Sequence, residues 1–193
     1  MTSKVDKKSS VCALEVANAL AIYFAERASG PYKDNYITFS ETPQFVDLSK
    51  GKTLRDKLVI ASEHNEVANT NIEAVFDLIL KTAITHSLPQ EDLPENLLII
   101  SDMEFDAARG RGYGYGFGRA VADDTKTLME KIEAKWNAYG YNMPNLIFWN
   151  VDARHDNIPM TVKDGVSFVS GFSPSIFQQI MSGKTAFDLM YEV

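Results

Sequence analysis

The sequence contains few of the residues that build covalent or metal-held frameworks. Its 193 residues include one cysteine, Cys12, and three histidines. A single cysteine excludes an intramolecular disulfide and any multi-cysteine metal site. The histidines show neither metal-ligand spacing nor the pattern of a catalytic triad. Because Cys12 lies in an apolar helical pattern, we expect a small buried hydrophobic side chain rather than a reactive thiol.

Long apolar runs and an excess of positive charge are also missing. No run approaches the roughly 18 to 20 apolar residues that cross a bilayer, and the polar N-terminus lacks the apolar stretch of a secretory signal. We therefore expect a cytoplasmic protein. The net charge of −7 disfavours a general attraction to DNA, RNA or anionic membranes, although a local basic element could still act.

What is present is the composition of a globular protein. Apolar residues make up 45% of the chain and charged residues 23%, which suits one compact domain with a buried core. No internal repeat and no linker interrupts the sequence. We therefore expect a single domain over residues 1–193.

Hydrophobic periodicity predicts alternating strands and helices. The resulting fold class is α/β, a three-layer, mostly parallel doubly wound sheet with an antiparallel edge hairpin. Asn69 or Thr70 is the expected cap of the third helix, and Asp123 or Asp124 that of the fourth. The predicted helices are 11–28, 53–62, a long one ending near 87, one ending at 140, and one that starts at Ser173-Pro174. The predicted strands are 35–42, 44–48, 97–100, 145–151 and 166–170.

Carboxylates follow the predicted strand 97–100 directly. They are Asp102, Glu104 and Asp106, at the end of the strand where α/β sheets place their ligands. Oxygen donors of this kind suit Mg²⁺ or Ca²⁺. Alternatively, the aspartates cap the following turn, or the three carboxylates serve a metal-dependent hydrolase, for which no general base or nucleophile is recognisable. Asp152, after the strand 145–151, lines the same edge or belongs to a solvated loop.

Four stretches together resemble the von Willebrand factor A-like C-terminal region of an uncharacterised domain-of-unknown-function family. That region is related in architecture to the A-like domain of the Ro ribonucleoprotein. The resemblance covers nearly the whole chain and is most specific at Phe148-Trp149-Asn150. The stretches are Asn69-Thr70-Asn71-Ile72, Leu97-Leu98-Ile99-Ile100-Ser101-Asp102-Met103-Glu104-Phe105-Asp106, 140–150, and Ser170-Gly171-Phe172-Ser173.

This resemblance implies a metal-ion-dependent adhesion site built from three loops. Thr70 matches its second position and Asp102 its third, while the Asp-x-Ser-x-Ser motif of the first loop and the central strand before it are missing. The resemblance therefore implies an N-terminally incomplete domain in which another chain fills the gap or the sheet rearranges. It also implies that Mg²⁺, which in the intact architecture completes its coordination with a partner's carboxylate, binds this chain weakly or not at all.

A glycine-rich insertion, 106–123, interrupts the α/β pattern. Its arginines and aromatic residues could stack on single-stranded bases, as similar segments do in RNA-binding proteins. Alternatively, it is a surface insertion, or a loop that packs on a neighbouring copy of the chain. The residues concerned are Arg109, Arg111, Tyr113, Tyr115, Phe117 and Arg119.

These features lead us to expect a non-enzymatic ligand-binding or protein-interaction module with a degenerate metal site. Thr70 and Asp102 are its candidate metal ligands, and Glu104, Asp106 and Asp152 its candidate ligand-binding residues. We expect a protein partner or self-association. The alternatives are an RNA-associated module that uses the glycine-rich insertion and a metal-dependent hydrolase.

Overall fold

The computed structural model describes residues 11–38, 40–64, 71–101, 120–151, 160–163 and 166–170. The chain has a mixed α/β architecture with both parallel and antiparallel strands. It divides into two compact units, each built from separate stretches of sequence. The first comprises 1–24, 96–104 and 145–193, and the second 25–95 and 105–144.

The described residues form four helices and six strands. The helices are α1 (Ala13–Arg27), α2 (Leu54–Glu63), α3 (Ile72–His86) and α4 (Ala120–Ala138), and single 3₁₀ turns cover Gly30–Tyr32 and Gln90–Asp92. The strands are β1 (Asn35–Ile37), β2 (Phe45–Asp47), β3 (Asn96–Ser101), β4 (Asn145–Asn150), β5 (Met160–Lys163) and β6 (Val166–Ser170).

The first unit holds a four-stranded sheet in the order β3-β4-β6-β5. Strands β3, β4 and β6 run parallel, as their short apolar runs predict, and β5 pairs antiparallel with β6. Strand β5 is not among the predicted strands, because a four-residue strand gives little periodic signal. Among the described strands, β3 lies at one end of the sheet and β4 inside it, although the run 97–100 is typical of a central strand.

Helix α1 packs against one face of this sheet. Trp149 and Val151 are almost completely buried there, together with Val169 and Ala13. The α1 side chains that pack against this cluster recur at helical spacing, at Val16, Leu20 and Phe24. The opposite face is also buried, since Leu146 and Phe148 are 1% and 3% exposed. Strand β4 is therefore covered on both sides, which explains its nearly continuous apolar sequence.

The second unit contains the predicted antiparallel hairpin, in which Tyr36 pairs with Val46. It forms a separate two-stranded sheet, not the edge of the parallel sheet as predicted. Its first strand is three residues long rather than the eight predicted. Beyond it, the Thr38 N–H still donates to the Gln44 carbonyl at 3.0 Å, while the Thr38 hydroxyl accepts the Gln44 N–H at 3.0 Å. The pairing therefore ends on one backbone and one side-chain hydrogen bond. Pro43, which has no N–H to donate, lies in the intervening turn.

Helices α3 and α4 pack together in the second unit. Phe76 of α3 meets Trp136 of α4 edge to face, with ring centroids 6.2 Å apart. At the rim of this contact, Lys135 Nζ donates to both carboxylate oxygens of Asp77 at 2.6 and 2.7 Å. The apolar stripe of α3 is buried as its spacing predicts, at Val75, Phe76, Ile79, Leu80 and Ala83.

The cap of α3 differs from the expectation of Asn69 or Thr70. Asn71 is the cap, because its Oδ1 accepts the Ala74 N–H at 3.1 Å and its backbone is extended. This is the ordinary geometry of an asparagine N-cap. Helix α4 likewise begins at Ala120, not after Asp123 or Asp124; Ala120-Val121-Ala122 contains no helix breaker, so the helix can start before the aspartates.

Cys12 also differs from its predicted environment. Helix α1 begins at Ala13, so Cys12 lies just before the helix, where it is half-buried. Its backbone N–H donates to Glu15 Oε2 at 2.7 Å. The helical pattern of apolar residues thus begins two residues before the helix itself, and Cys12 is not a core side chain.

In the stretches that the structure describes, no helix has both the length and the apolar character needed to span a membrane. The predicted helix after Ser173-Pro174 and residues 106–119 of the predicted insertion lie outside the described residues. The last part of that insertion, 120–123, belongs to helix α4 instead.

Candidate interaction edge of the parallel sheet

Three polar residues end the parallel strands of the first unit in register. Ser101 of β3 is paired with Asn150 of β4, and Asn150 with Ser170 of β6. Because all three strands run in the same direction, these residues form one row across the sheet at its carboxyl end. Ligands of open α/β sheets bind at this edge. We call Ser101, Asn150 and Ser170 the carboxyl-edge row.

The ladder of hydrogen bonds continues past this row. The Val151 N–H donates to the Ser101 carbonyl at 3.0 Å, so the end of β4 is held against β3 one residue beyond the paired strands. Ser101 is 8% exposed and Val151 is fully buried. The backbone that leads into the following loops therefore starts from fixed positions on both strands.

The opposite end of these two strands carries its own polar contact. Asn145 Nδ2 donates to Asn96 Oδ1 at 3.3 Å, and the two residues are register partners. A one-residue slip would break this amide pair and would also move each apolar side chain to the other face of the sheet. The register that builds the carboxyl-edge row is therefore specified at both ends of β3 and β4.

The chemistry of the row is that of neutral oxygen donors. Ser101 and Asn150 bring a hydroxyl and an amide, and the carboxylates of Asp102 and Asp152 come one and two residues later in the sequence. Mg²⁺ usually binds through one or two carboxylates. The described side chains of the row do not provide any, and no cluster of three or more His, Cys, Asp or Glu residues is placed to hold a metal within the described residues. Taken alone, they do not fit a magnesium site.

The predicted site residues themselves lie outside the described residues. They are Thr70, Asp102, Glu104, Asp106, Asp152, and the arginine and aromatic residues Arg109, Arg111, Tyr113, Tyr115, Phe117 and Arg119. The structure does fix the strands that precede two of them, since β3 ends directly before Asp102 and β4 ends two residues before Asp152. Sequence reasoning missed Ser101 and Asn150, although each is a polar residue that ends an apolar run.

A buried charge in the second unit has a structural rather than a chemical role. Lys57 of α2 is 9% exposed, and its Nζ donates to Glu26 Oε1 at 2.8 Å and lies 3.5 Å from Asp34 Oδ1. The hydrogen bond to Glu26 raises the pKa of Lys57. A lysine nucleophile or base needs the opposite shift, so Lys57 acts as an anchor of α2.

Two tyrosines of the second unit are also kept neutral. Burial raises the pKa of Tyr32, with a further contribution from Tyr141, and burial alone raises that of Tyr36. Tyr141 donates its hydroxyl to the Leu88 carbonyl at 2.9 Å. Neither Tyr32 nor Tyr36 has the lowered pKa of an activated catalytic group.

Comparison with known proteins places the chain in a family. The family described as a domain of unknown function, DUF7788, matches residues 1–192. The chain is 30% identical over 188 residues to the uncharacterized protein L728 of Acanthamoeba polyphaga mimivirus; the match covers 95% of this chain and 31% of that protein. The chain thus spans about a third of that relative. No solved structure matches. With nearly its whole length matched, the chain belongs to the DUF7788 family.

Proposed function

We propose that the protein is a non-enzymatic interaction module that binds a partner at the carboxyl edge of its parallel sheet. The observation that carries this proposal is the register of the carboxyl-edge row, which brings three polar strand ends together. Two of these strand ends, those of β3 and β4, lead within two residues to Asp102 and Asp152.

The carboxylates after the row give the edge its specificity in this proposal. Asp102, Glu104 and Asp106 after β3, and Asp152 after β4, contact a cationic group of the partner, such as a lysine or arginine side chain. Thr70 and Asp102 remain the candidate ligands of a degenerate metal site, and the expected binding of Mg²⁺ is weak. No step of the proposed binding depends on a metal.

We also propose that the sheet belongs to a von Willebrand A-like, doubly wound fold. The parallel arrangement of β3, β4 and β6 supports this, as do α1 on one face and the burial of Leu146 and Phe148 on the other. In such folds the crevice at the carboxyl edge is the ordinary ligand position. The proposed fold and the proposed binding edge therefore support each other.

The test is a binding titration with two labelled peptides, one rich in lysine and one rich in glutamate, with and without Mg²⁺. We expect the lysine peptide to bind without metal and the double variant Asp102→Asn with Asp152→Asn to bind it about tenfold more weakly, because both charge-assisted contacts are lost. The matched control, Asp92→Asn with Glu95→Gln, removes the same charge outside the edge and should bind normally.

Other outcomes would overturn parts of the proposal. An equal loss of affinity for the lysine peptide in both double variants would mean that only the net charge of the chain matters. Binding of the glutamate peptide that requires Mg²⁺ would show a working metal site, in contradiction to a degenerate one. Filter binding to single-stranded RNA across a salt series tests the RNA alternative, which we expect to fail even at low salt.

A further inference from the structure

Helix α2 exposes a cluster of large apolar side chains. Leu54, Leu58 and Val59 are 59%, 37% and 52% exposed. The other exposed large apolar residues of the described chain occur singly, at Val11, Ile84 and Tyr139. Scattered single residues of this kind are normal on a surface, whereas a cluster within six consecutive residues calls for an explanation.

The cluster belongs to a helix that is firmly held on its other side. Thr53 and Asp56 form a reciprocal capping box at its start, and Lys57 is anchored by Glu26 and Asp34. A side chain on Gly51 would place its Cβ 2.6 Å from Lys57 Cγ, so the loop before the helix packs closely on the lysine stem. The exposed residues are therefore presented on a fixed helix.

The exposed residues have the geometry of a packing ridge. Leu54 and Leu58 are four residues apart, so they lie on one face of the helix about one turn apart. Val59 extends the apolar surface sideways. Ridges of side chains four residues apart pack into the grooves of a second helix.

Three cations lie beside this ridge in the sequence of an acidic protein. Lys50, Lys52 and Arg55 are exposed, and none of them forms an ion pair with another residue in the part of the chain that the structure describes. Helix α2 has two acidic residues, Asp56, which is engaged in the capping box, and Glu63 in its last turn. We define the α2 outer surface as Leu54, Leu58, Val59, Lys50, Lys52 and Arg55.

We propose that the α2 outer surface docks an acidic amphipathic helix of a partner protein. Carboxylates of such a helix complement the three cations, and its apolar stripe covers the ridge. A chain of net charge −7 repels acidic partners elsewhere, so this surface selects them by position. The surface lies in the second unit and does not depend on the function proposed for the carboxyl edge.

The chemistry of the surface favours this occupant over a membrane or a nucleic acid. Interfacial membrane helices bury a wide apolar face rich in Trp, Phe and Leu, whereas α2 is short and offers three aliphatic side chains. Binding of single strands relies on aromatic side chains that stack on bases, and the α2 outer surface has none. A helix with leucines and glutamates matches both parts of the surface.

The test uses a labelled synthetic peptide of about four helical turns, with leucines along one face and glutamates on both sides of them. We expect salt-sensitive binding that weakens about tenfold in Lys52→Glu with Arg55→Glu and also in Leu54→Ser with Leu58→Ser. The matched control, Lys81→Glu with Lys131→Glu, changes the net charge equally at exposed positions of α3 and α4 and should bind normally. The two charge variants should keep the parental melting temperature, because their exchanged side chains are exposed. Leu58 is 37% exposed, so binding by the leucine variant is measured at a temperature at which circular dichroism shows it to be folded.

Three results would overturn the proposal. They are an absence of peptide binding by the parent chain, equal loss in the control variant, and retained binding when both leucines are replaced. Stronger binding to vesicles of phosphatidylserine and phosphatidylcholine, or to single-stranded RNA, than to the peptide would replace the proposed occupant with a membrane or a nucleic acid.

Discussion

Helices α2 and α3 share one unit and both begin with a side-chain cap, yet the side chains that they bury differ in polarity. Helix α3 buries a complete apolar stripe that includes Phe76, which is fully buried. Helix α2 buries Lys57 and Ala61 and leaves Leu54 and Val59 more than half exposed. The difference separates a helix held by packing from one held by a cap and an ion pair. The exposed apolar side chains of α2 are thus available for another contact.

The largest effect should come from the packed helix. Phe76→Ala removes a fully buried ring and its edge-to-face contact with Trp136, and we expect it to lower the free energy of unfolding by about 3 to 5 kcal/mol. Urea denaturation measures this, with Leu54→Ala in α2 as the matched truncation. A loss of similar size in Leu54→Ala would mean that both helices are held by apolar packing.

The anchor of α2 comes next. Lys57→Met keeps an apolar stem and removes the ammonium group that is bonded to Glu26 and Asp34. We expect a loss of roughly 1 to 2 kcal/mol at neutral pH, below the range for fully buried pairs, because Glu26 is 42% exposed. Lys52→Met is the exposed control and should cost nothing measurable.

The ion pair also predicts a pH dependence. The pKa of Lys57 is raised by its hydrogen bond to Glu26, so its stabilising contribution is complete below the ordinary lysine pKa and disappears as the pH rises through the higher folded value. The stability difference between the parent and Lys57→Met should therefore shrink in strongly alkaline buffer. A constant difference would show that the charge of Lys57 is not what anchors the helix.

The capping box should have a smaller effect. Thr53→Ala removes the oxygen that accepts the Asp56 N–H at 3.2 Å, and N-cap replacements of this kind cost about 1 kcal/mol. The hydrogen bond to Thr53 lowers the pKa of Asp56. The contribution of ionised Asp56 to the stability of the fold is present above the ordinary aspartate pKa and is lost as the pH falls through the folded value. When the stability of Asp56→Asn is measured at falling pH, this loss of stability should be absent.

The smallest effect belongs to the exposed ridge. Leu54→Ser and Val59→Ser replace side chains that are 59% and 52% exposed, so we expect changes within about 0.5 kcal/mol in thermal or urea unfolding. A loss of 2 kcal/mol or more would show that these residues are part of a core, and the comparison between α2 and α3 would fail.

The sequence was informative where one local signal decides the structure. The apolar runs before Ser101 and Asn150 predicted parallel strands, and the stripe from Ile72 predicted α3. The burial of Lys57 in α2 could not be predicted, because the carboxylates that pair with it are 31 and 23 residues away in the sequence. Periodicity counted Leu54 and Leu58 as apolar positions, but it contains no information on such distant partners.

In the candidate site, too, some residues could be predicted from local sequence and others could not. Asp102 and Asp152 attract attention because each follows an apolar run. The carboxyl-edge row depends on the pairing of Ser101 with Asn150 and of Asn150 with Ser170, which no single segment reveals. Its register is fixed by long-range contacts, including the amide pair of Asn96 and Asn145.

The most direct test of the proposed function is hydrogen–deuterium exchange of the chain with and without the lysine-rich peptide. We expect added protection to be concentrated around Ser101–Asp102 and Asn150–Asp152, at the carboxyl ends of β3 and β4, and to be clearly weaker in Asp102→Asn with Asp152→Asn at the same peptide concentration. Protection at the amino ends, around Asn96 and Asn145, with none at the carboxyl ends would contradict the proposed function.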